Sequence, residues 1–585
     1  MKLQTMSNLP RMSEELLVGR GDPVYMAHAY LTKVPVPAIT PFIEVYVPSG
    51  GTVVDPFAGS GMTGVAAAVL GRRARLFDIS VLGQHIGTNY VNHVDADQFR
   101  KVAAEVVDRA RDTLGDCYQL KCSACDREAQ LAKAVWTIDV ACKGCGESVN
   151  YYDALETADW VKGRMTCPHC DAAISAKLAH QGESRVLDYI TCECSAKQLE
   201  QAPPVSEHWE LDATLASSPH VEITPDRQMY QAQSLGKSGR TTIAAFYSAR
   251  NLAVLTALRH QIDLVGDEPI RSKLMFAFTA SLTRASKRYQ WSRQRPLNAA
   301  NANYYVAPVF YEWNVFDLFL RKVEAAIRSD NYVRSQAAVY GVQDDHWPDV
   351  TYEISSADSI PLADASVDYV FTDPPFGSNL FYADMALFQE AWLSGFTDVS
   401  LEAVVGRGTK RQDSTERYVR VLAEALGECR RIVKPGGRIS MVFGNSSGAV
   451  WALVQQAIDA ADLAIDPEAL VILNKGQRSV KGLASGFEHV ATLDLIITMY
   501  AVERGSTPPL RRYPPELVTE TVRRVTEGTE TTTPSHLYLE ILRLGMRERL
   551  DLGGIHLGAV TNALRDNNWM IDEKTGSLYR AKTRG

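Results

Sequence analysis

Two parts of the chain alternate short apolar runs with stretches of helical periodicity. In the first part, the runs Gly51–Asp55 and Arg75–Asp78 have the composition of buried strands and flank a helix predicted from Met62 to Leu70. In the second part, strand patterns occur at Val350–Ser355, Val367–Phe371, Arg438–Phe443, Ala469–Leu473 and Leu493–Met499. A helix predicted from Ser414 to Ile432 separates the second of these strands from the third. Strands that alternate with helices in this way predict a parallel α/β sheet.

A middle region separates these two parts and lacks their alternation. Cysteine pairs and short polar stretches occupy about Gln98 to Thr214, and apolar spacings of three and four predict helices between Thr242 and Arg328. We expect both regions to be inserted into the sheet. Beyond the sheet, the Pro-rich stretch Ser506–Pro515 precedes a last unit of about 70 residues, with a helix predicted from Pro534 to Leu550. This unit has the size of a small helical or winged-helix module.

The overall composition excludes several classes of protein. The chain has 585 residues, 46% hydrophobic and 22% charged, which excludes a disordered, collagen-like or small disulfide-rich protein and indicates several globular domains. The net charge of -8 argues against a polycation that coats nucleic acid, so contact with DNA or RNA would need local basic patches. No apolar run is long enough to span a bilayer, and Met1–Met6 leads into polar residues without the apolar core of a signal peptide. We therefore predict a soluble, cytoplasmic protein with no membrane partner.

Eight of the ten cysteines fall between Cys122 and Cys194 as four close pairs, which indicates metal binding rather than disulfides. The first two pairs are separated by 16 residues and predict one tetrahedral zinc site, made by Cys122, Cys125, Cys142 and Cys145. The last two pairs are separated by 21 residues and predict a second site, made by Cys167, Cys170, Cys192 and Cys194. His169 is an alternative ligand there, and unligated thiols are the alternative to metal at both sites. Because four-thiolate sites are closed, we expect two structural Zn²⁺ ions.

A glycine-rich loop, DPFAGSGMTG from Asp55 to Gly64, follows the first predicted strand. Its glycines allow a sharp turn and the close approach of a ligand to the backbone. The helix that follows offers free N–H groups to a ligand carboxylate, and Asp78 at the end of the next strand can accept hydrogen bonds from both hydroxyls of a ribose. The loop therefore predicts a nucleotide-like ligand, and a tight turn without a ligand is the alternative.

The form Asp-Pro-Phe-x-Gly-x-Gly of this loop resembles the S-adenosylmethionine loop of DNA amino-methyltransferases. The segment Ala29–Pro35 resembles the one that covers the methionine end of the cofactor in that family, and Asp358 lies where the family places a residue near the cofactor adenine. The resemblance covers roughly Ala27–Asn92 and Val350–Tyr500. It implies S-adenosyl-L-methionine as the cofactor, held by Lys33, Asp55, Phe57, Gly59, Gly61, Asp78 and Asp358.

A second loop, Asp373-Pro374-Pro375-Phe376, follows the strand predicted at Val367–Phe371. The two prolines stiffen this loop and remove two backbone donors, which leaves carbonyl acceptors free. Hydrogen bonds from a base amine to the Asp373 carboxylate and the Pro374 carbonyl would localise the nitrogen lone pair and aim it at the cofactor methyl group. Phe376 would stack on a base flipped out of the duplex. A plain Asp-Pro turn is the alternative.

The same resemblance bears on the substrate. The family usually has Tyr after the two prolines, and Phe376 keeps the stacking face but lacks the hydroxyl. Asp at position 373 favours adenine N6, since cytosine N4 enzymes more often carry Ser there, and the Pro-Cys pair of cytosine C5 enzymes is absent. Tyr382–Asp384 and the following helix resemble zinc-ribbon-containing adenine methylases. The resemblance thus implies an adenine-specific methyltransferase of double-stranded DNA, with restriction or phage-defence proteins as candidate partners.

Three other functions stay open. A cytosine N4 DNA methyltransferase is one, and an RNA amino-methyltransferase is another, because similar tetrads occur in enzymes that modify guanine N2 in RNA. A zinc-ribbon nucleic-acid-binding protein that keeps the methyltransferase core as a non-catalytic scaffold is the candidate from a different class. The complete loop from Asp373 to Phe376 argues against the last of these.

A basic segment that contains aromatic residues is the first candidate for contact with nucleic acid. Its residues are Arg284, Lys287, Arg288, Tyr289, Trp291, Arg293 and Arg295, with no acidic residue between them. A second candidate patch, in a loop after the catalytic strand, comprises Arg407, Lys410 and Arg411. A solvated charged face is the alternative for both.

These patterns, with the resemblance, predict an α/β fold: a Rossmann-like S-adenosylmethionine-dependent methyltransferase sheet, interrupted by a zinc-ribbon and helical insert and followed by a small C-terminal domain. The predicted units are the N-terminal part of the methyltransferase domain with the cofactor loop (1–97), tandem zinc ribbons (98–215), a helical DNA-recognition insert (216–345), the catalytic part of the methyltransferase domain (346–502) and a C-terminal accessory domain (503–585).

Overall fold

The computed structural model of the chain describes residues 12–115, 117–204, 219–293, 303–343, 346–376, 381–402, 411–476, 493–514, 516–526, 533–566, 569–571 and 578–580. Its strands are β1 (Glu15–Leu17), β2 (Thr52–Asp55), β3 (Arg73–Asp78), β4 (Gln119–Lys121), β5 (Glu128–Ala141), β6 (Ser148–Asn150), β7 (His180–Thr191), β8 (Leu199–Gln201), β9 (Val309–Trp313), β10 (Val350–Ile354), β11 (Val367–Thr372), β12 (Val433–Phe443), β13 (Leu463–Asn474), β14 (Asp494–Ala501), β15 (Trp569–Ile571) and β16 (Leu578–Arg580). Its helices are α1 (Pro23–Ala27), α2 (Val36–Tyr46), α3 (Met62–Val69), α4 (Val81–Val91), α5 (Ala96–Leu114), α6 (Tyr151–Thr157), α7 (Gln228–Ala232), α8 (Leu235–Ser238), α9 (Ala249–Asp263), α10 (Glu268–Ala285), α11 (Val315–Val339), α12 (Tyr382–Glu390), α13 (Arg411–Ile432), α14 (Gly448–Ala460), α15 (Glu516–Thr526), α16 (Pro534–Arg547) and α17 (Leu557–Asp566). Among the helices in these ranges, none combines the length and the apolar composition that crossing a membrane requires.

Eight strands form a central sheet in the order β1-β13-β14-β12-β11-β2-β3-β10. Its neighbouring pairs are parallel except for the two that involve β14, which runs antiparallel to β12 and β13. Strands from both sides of the middle region share this sheet, because β11 pairs with β2 and β10 pairs with β3. The prediction of a mixed α/β fold with a mostly parallel sheet is confirmed.

Alternate side chains of the central strands pack against different helices, as the two-residue period of a strand requires. Tyr369 and Phe371 of β11 lie in a hydrophobic cluster that includes residues of α2, α3, α4, α10 and α11. Val370 lies in a second cluster, which includes residues of α13, α14 and α16. The sheet is therefore a middle layer between two helical layers, and the loops after its parallel strands lie at one edge.

Helices α9, α10 and α11 belong to the same hydrophobic cluster as the first helical layer. Leu274, Phe276 and Phe278 of α10 are buried, and α11 packs against α1, α3, α5 and α10. This helical region is thus continuous with the layer that covers the sheet. A role of residues 216–345 in DNA recognition stays a prediction.

The cysteine-rich region forms a second sheet around β5 and β7. These strands are antiparallel, with a register that runs from Gln130 opposite Thr191 to Val140 opposite His180. Strand β9, which comes from the helical region, pairs with β5 and ties this sheet to the rest of the protein. The region also has a small hydrophobic cluster of its own, which includes Val135.

The C-terminal unit packs on the second helical layer. Leu537 and Leu542 of α16 are buried in the same cluster as Trp451 of α14. Gln455 of α14 donates a hydrogen bond from its amide to the Leu550 carbonyl at 2.8 Å. The hairpin formed by β15 and β16 follows α17. The unit therefore consists of helices followed by a two-stranded hairpin, and its function stays a prediction.

Candidate functional site

A cavity opens where the carboxyl ends of β2, β3 and β11 meet. Together with its open mouth, it contains about 990 Å³ of empty space. The loop after β2 contributes Asp55 to Ser60, β3 contributes Asp78, and the loop after β11 contributes Asp373 and Pro375. The structure thus brings together the two loops that the sequence analysis singled out.

Asp55 holds the glycine-rich loop from inside the fold. Its carboxylate is 3% exposed and accepts hydrogen bonds from the N–H of Phe57 at 3.1 Å and the hydroxyl of Thr63 at 2.6 Å. Burial raises the pKa of Asp55 to about 7 although both donors favour the ionised form. Asp55 therefore shapes the loop, and Phe57 lines the cavity beside it.

Asp78 ties the same loop to the end of β3. Its Oδ2 accepts a hydrogen bond from the N–H of Gly59 at 2.8 Å, and its Oδ1 accepts one from the N–H of Ser80 at 2.9 Å. Burial raises the pKa of this carboxyl group. A carboxylate oxygen can accept more than one hydrogen bond, so Asp78, which lines the cavity, can also accept from two ligand hydroxyls.

Gly59 and Gly61 have different roles in this loop. Both have left-handed backbone conformations, with φ of +50° and +79°, which favour glycine. Gly59 lines the cavity, and a Cβ on it would lie 3.2 Å from the Tyr30 ring. A Cβ on Gly61 would lie 2.6 Å from the Cα of Gly87, so Gly61 allows α3 to pack closely on α4. Contact of Gly61 with a cofactor stays a prediction.

Lys33 lines the cavity but commits its amine to the protein. The amine donates hydrogen bonds to the carbonyls of Tyr25 at 2.9 Å and His28 at 2.5 Å, and to the hydroxyl of Tyr90 at 3.2 Å. Burial lowers the pKa of Lys33 to about 7. These contacts hold the segment before α2 in place as a wall of the cavity. Direct contact of the Lys33 amine with a cofactor stays a prediction.

Asp358 lies beyond the end of β10 and its side chain is exposed. The residues before it, Ser355, Ser356 and Ala357, line the cavity. The loop after β10 therefore borders the cavity through these neighbours of Asp358, and contact of Asp358 with a cofactor stays a prediction.

Asp373 follows β11 and lines the cavity. Its Oδ1 atom is buried and has no hydrogen-bond partner among the described residues. Burial raises the pKa of Asp373 to about 7; Lys475 acts against this rise, whereas Asp494 and Asp55 add to it. A buried acceptor without a partner costs free energy, so Asp373 is available to a donor on a ligand.

Two side chains from outside the loop Asp373–Phe376 fix its backbone. The hydroxyl of Tyr418, on α13, donates to the Pro375 carbonyl at 2.7 Å, and the amide of Asn445, after β12, donates to the Phe376 carbonyl at 3.1 Å. Sequence reasoning missed both residues, because neither lies in a motif and both reach the loop only through the fold.

Phe376 packs inside the protein on one side of its ring. Its centroid lies 5.1 Å from that of Phe443, at an angle of 59°, and the ring is half-buried between the two large hydrophobic clusters. Among the described residues of the loop, Asp373 and Pro375 line the cavity, whereas Pro374 and Phe376 do not. Stacking of Phe376 on a base stays a prediction, as does acceptance of a hydrogen bond by the Pro374 carbonyl.

Other cavity residues lay outside the predicted set. The Tyr382 hydroxyl lies 3.3 Å from that of Thr32, and the Glu402 carboxylate accepts a hydrogen bond from the N–H of Ala383 at 3.0 Å. Burial raises the pKa of Glu402 to about 7. Tyr382 belongs to a segment with a family resemblance, but Glu402 has no local signal, since it reaches the cavity from the far side of α12.

The eight cysteines form two clusters of four, although not in the predicted combination. One cluster, the outer cluster, consists of Cys122, Cys125, Cys192 and Cys194. The other, the inner cluster, consists of Cys142, Cys145, Cys167 and Cys170. The predicted combination is wrong because the 14-residue strand β5 separates the first two pairs by more than about 40 Å. Strand β7 returns antiparallel to β5, so the outermost pairs meet at one end of the ribbon and the inner pairs at the other.

Both clusters have the geometry of a thiolate metal site. The four Sγ atoms of each cluster lie within 4.8 Å of one another, and the closest cross-pair distances are 3.5 and 3.7 Å in both. Tetrahedral zinc with Zn–S bonds of about 2.3 Å needs Sγ atoms about 3.8 Å apart. The backbone N–H of His169 lies 3.4 Å from Cys167 Sγ, and the inner cluster is complete without its ring. Each cluster could therefore hold one zinc ion.

The basic segment predicted to meet DNA is partly engaged inside the protein. Arg288 is 2% exposed, and its guanidinium lies over the rings of Tyr304 and Phe388 at 5.2 and 4.6 Å. The prediction that Arg288 contacts DNA is wrong, because a guanidinium buried between aromatic rings cannot reach a phosphate. Lys287 forms an ion pair with Glu183 of β7 at 2.6 Å.

Arg284, Trp291 and Arg293 complete the described part of this segment. Arg284 lies over the Tyr289 ring at 5.0 Å. The Trp291 ring lies 5.1 Å from that of Trp160, and the exposed Arg293 lies over Trp160 at 5.2 Å. Arg295, Arg407 and Lys410 lie outside the described residues, and Arg411 is described only as the first residue of α13. Their predicted contacts with DNA stay predictions.

The arrangement of the cavity is that of a ligand site in an α/β protein. A glycine-rich turn between a parallel strand and a helix, with an acidic residue ending the next strand, is typical of nucleotide-type ligands in α/β proteins. Residues 8–94, which include this turn and Asp78, match the N6/N4 methyltransferase family model described as DNA methylase. This family suggests amino-methyltransferase activity, the use of S-adenosylmethionine and a DNA substrate.

Among solved structures, the chain is similar to one from the complex between the Haloferax volcanii Trm112 methyltransferase activator and a methyltransferase. The alignment has 15% identity and a TM-score of 0.16, and it covers 30% of this chain and 70% of that chain. A TM-score this low does not establish a common fold. The comparison with curated proteins gives no match.

Proposed function

We propose that this chain is an S-adenosylmethionine-dependent DNA methyltransferase that modifies the N6 amine of adenine. The observation that carries the proposal is that Asp373 has a buried Oδ1 without a partner among the described residues and lines the same cavity as Asp78 and the glycine-rich loop. Asp373 offers the acceptor that a base amine needs. Asp78 and the glycine-rich loop offer the wall that a methyl donor with a nucleoside part needs.

The residues of the cavity fit the proposed cofactor. Asp78 retains acceptor capacity for two ribose hydroxyls, and the bare Cα of Gly59 leaves room where a side chain would meet Tyr30. Ser356 and Ala357 supply the wall after β10, where the adenine ring of the cofactor would lie. S-Adenosylmethionine would supply an electrophilic methyl group bound to a sulfonium sulfur.

Asp373 would act on the amine of a flipped base. Its carboxylate accepts a hydrogen bond from the amine, which localises the nitrogen lone pair for attack on the methyl carbon. The amine nitrogen would take the methyl group in place of its bond to sulfur, and the electrons of that bond would remain on the cofactor sulfur. The nitrogen then loses one proton, for which the Asp373 carboxylate is the acceptor at hand. Tyr418 and Asn445 hold the loop backbone, so the carboxylate is positioned before substrate binds.

The cysteine ribbon would contribute to DNA binding rather than to the reaction. Closed thiolate sites leave no open metal position, so zinc there would stabilise the ribbon. Trp160, Trp291 and Arg293 combine aromatic faces with a positive charge on this part of the protein, a combination that suits bases and phosphates.

The test is methyl transfer to unmodified plasmid DNA, followed by digestion to nucleosides and mass spectrometry. N6-methyladenine is expected with the wild-type protein, and a loss of a hundredfold or more is expected with Asp373→Asn. Asp112→Asn, at an exposed position of α5, is the matched control. Detection of N4-methylcytosine instead would make cytosine the target base. Methylation of RNA but not of DNA would make RNA the substrate. Cofactor binding without methyl transfer would indicate a non-catalytic scaffold.

A further inference from the structure

A buried ion pair lies at the same edge of the sheet as Asp373. Lys475 follows β13, Asp494 begins β14, and Lys475 Nζ lies 2.6 Å from Asp494 Oδ2. Their side chains are 9% and 14% exposed. Strand β14 pairs with β12, and β12 pairs with β11, which ends immediately before Asp373. Two strand positions therefore separate the pair from the catalytic loop.

The backbone of Gly444 lies between the Lys475–Asp494 ion pair and Phe376 of the loop. A Cβ on Gly444 would overlap Oδ1 of Asp494 and would also lie 3.4 Å from Cε2 of Phe376. The next residue, Asn445, donates the hydrogen bond that holds the Phe376 carbonyl. A side chain at position 444 would thus displace Asp494, and glycine allows the ion pair to lie this close to Phe376.

A buried ion pair needs a reason beyond stability. The desolvation of two charges offsets most of their attraction, and apolar side chains of similar volume often give equal or greater stability. Lys475 and Asp494 both interact electrostatically with Asp373, whose Oδ1 has no partner among the described residues. The electric field of the ion pair therefore acts on the Asp373 carboxyl group.

The charged and titratable groups around Asp373 have a clear order of effect. Burial raises the pKa of Asp373, Lys475 is the group that lowers it, and Asp494 and Asp55 raise it further. The Tyr382 hydroxyl also interacts with Asp373. Burial lowers the pKa of Lys475, but Asp494 and Asp373 outweigh burial, so Lys475 keeps its charge. Lys475 is thus a persistent cation beside a carboxyl group that titrates near neutrality.

We propose that Lys475 and Asp494 are positioning residues for Asp373: Lys475 keeps the Asp373 carboxylate ionised, and Asp494 holds Lys475 back from a direct ion pair with it. This arrangement leaves Asp373 charged and still free to accept a hydrogen bond from an amine. Its consequence for catalysis rests on the proposed function, whereas its effect on the ionisation of Asp373 does not.

The test compares wild type, Lys475→Met, Asp494→Asn and Lys475→Met with Asp494→Leu, each with and without Asp373→Asn. The difference in unfolding free energy between each protein and its Asp373→Asn partner falls as pH rises through the folded-state pKa of Asp373. This transition should move to higher pH in Lys475→Met, by on the order of one unit, and to lower pH in Asp494→Asn. In the double variant the transition should move in the same direction as in Lys475→Met, but by less. If Lys475→Met does not fold, the double variant and Asp494→Asn together provide the test.

Lys434→Met is the matched control, because Lys434 also forms a 2.6 Å ion pair, with Asp368, at the opposite ends of β11 and β12. It should leave the transition of Asp373 in place. Shifts of Lys475→Met and Asp494→Asn in the same direction, or no shift in either, would overturn the inference. The acid limb of the methylation rate should follow the same shifts. A wild-type protein that transfers no methyl group would remove the proposed function and leave the titration result standing.

Discussion

Cys122 Sγ lies 3.7 Å from Cys194 Sγ, although the two residues are 72 positions apart in the chain. Cys125 and Cys192 make the matching contact at 3.5 Å. The outer cluster therefore joins the start of β5 to the end of β7, at the end of the ribbon where the chain enters and leaves. The inner cluster joins the other end, so the cysteine pairs are nested rather than consecutive.

Metal content is expected to follow this nesting. Replacement by Ser of the whole outer cluster should leave one tightly bound zinc, because the inner cluster keeps all four ligands. Replacement of Cys122, Cys125, Cys142 and Cys145 should leave none, because each cluster then keeps only two. Metal analysis of the purified variants measures both values, and the reverse pattern would restore consecutive pairing.

Asp78→Asn is expected to weaken cofactor binding roughly ten- to hundredfold, since hydrogen bonds to a charged acceptor contribute about 1.5–3 kcal/mol. Calorimetric titration with S-adenosylmethionine measures the change. Asp373→Asn is the comparison. It should change cofactor affinity little, because Asp373 is proposed to contact the amine of the substrate base rather than the cofactor. Equal affinities for Asp78→Asn and wild type would remove Asp78 from the binding site.

Phe376→Ala is expected to lower both stability and turnover, whereas Phe376→Tyr should keep both. The alanine variant loses the packing on Phe443, at about 1–3 kcal/mol for a half-buried ring, and the face that would stack on a base. Thermal melting and the methylation rate separate the two effects. If turnover by the folded alanine variant matched that of the tyrosine variant, Phe376 would be a packing residue alone.

The stability of the protein should depend on pH through Asp55. Burial raises the folded-state pKa of Asp55 from 3.8 to about 7, so the folded state favours the protonated form. That contribution, on the order of 4 kcal/mol, is complete below about pH 4 and is lost as pH rises through about 7. Asp55→Asn should therefore gain stability relative to wild type as pH rises across this range, as followed by denaturant unfolding. Comparing the two proteins removes the opposite effect of the buried His28 and His85, whose pKa values burial lowers. A difference that is independent of pH would contradict this account.

The elements around the site could be predicted because each has a local signal. The apolar run predicted at Val367–Phe371 is β11, and the helix predicted from Met62 is α3, since strand and helix periods are properties of adjacent residues. The loops that follow them lie at one edge because parallel strands end together.

The remaining features depend on partners that are distant in the chain. Strand β5 lies in a region whose sequence shows only cysteine pairs and short polar stretches. Its 14-residue length decides which cysteines meet. Arg288 belongs to a segment with the composition of a basic surface patch, but its guanidinium packs on Tyr304 and Phe388. Tyr418 of α13 and Asn445, which follows β12, reach the loop Asp373–Phe376, and no spacing in the sequence indicates this.

The nested ribbon also sets an order in which its two ends can close during synthesis. Cys142 and Cys170 are 28 positions apart, whereas Cys122 and Cys194 are 72 apart, and the cost of closing a loop rises with its length. The inner cluster is complete once Cys170 has been made, before any residue of β7 exists. A zinc ion bound there would hold the turn while β7 pairs back along β5, and this pairing would carry Cys192 and Cys194 to the outer cluster. Assembly of this region would then proceed from the turn towards the rest of the protein, with the second metal ion bound last.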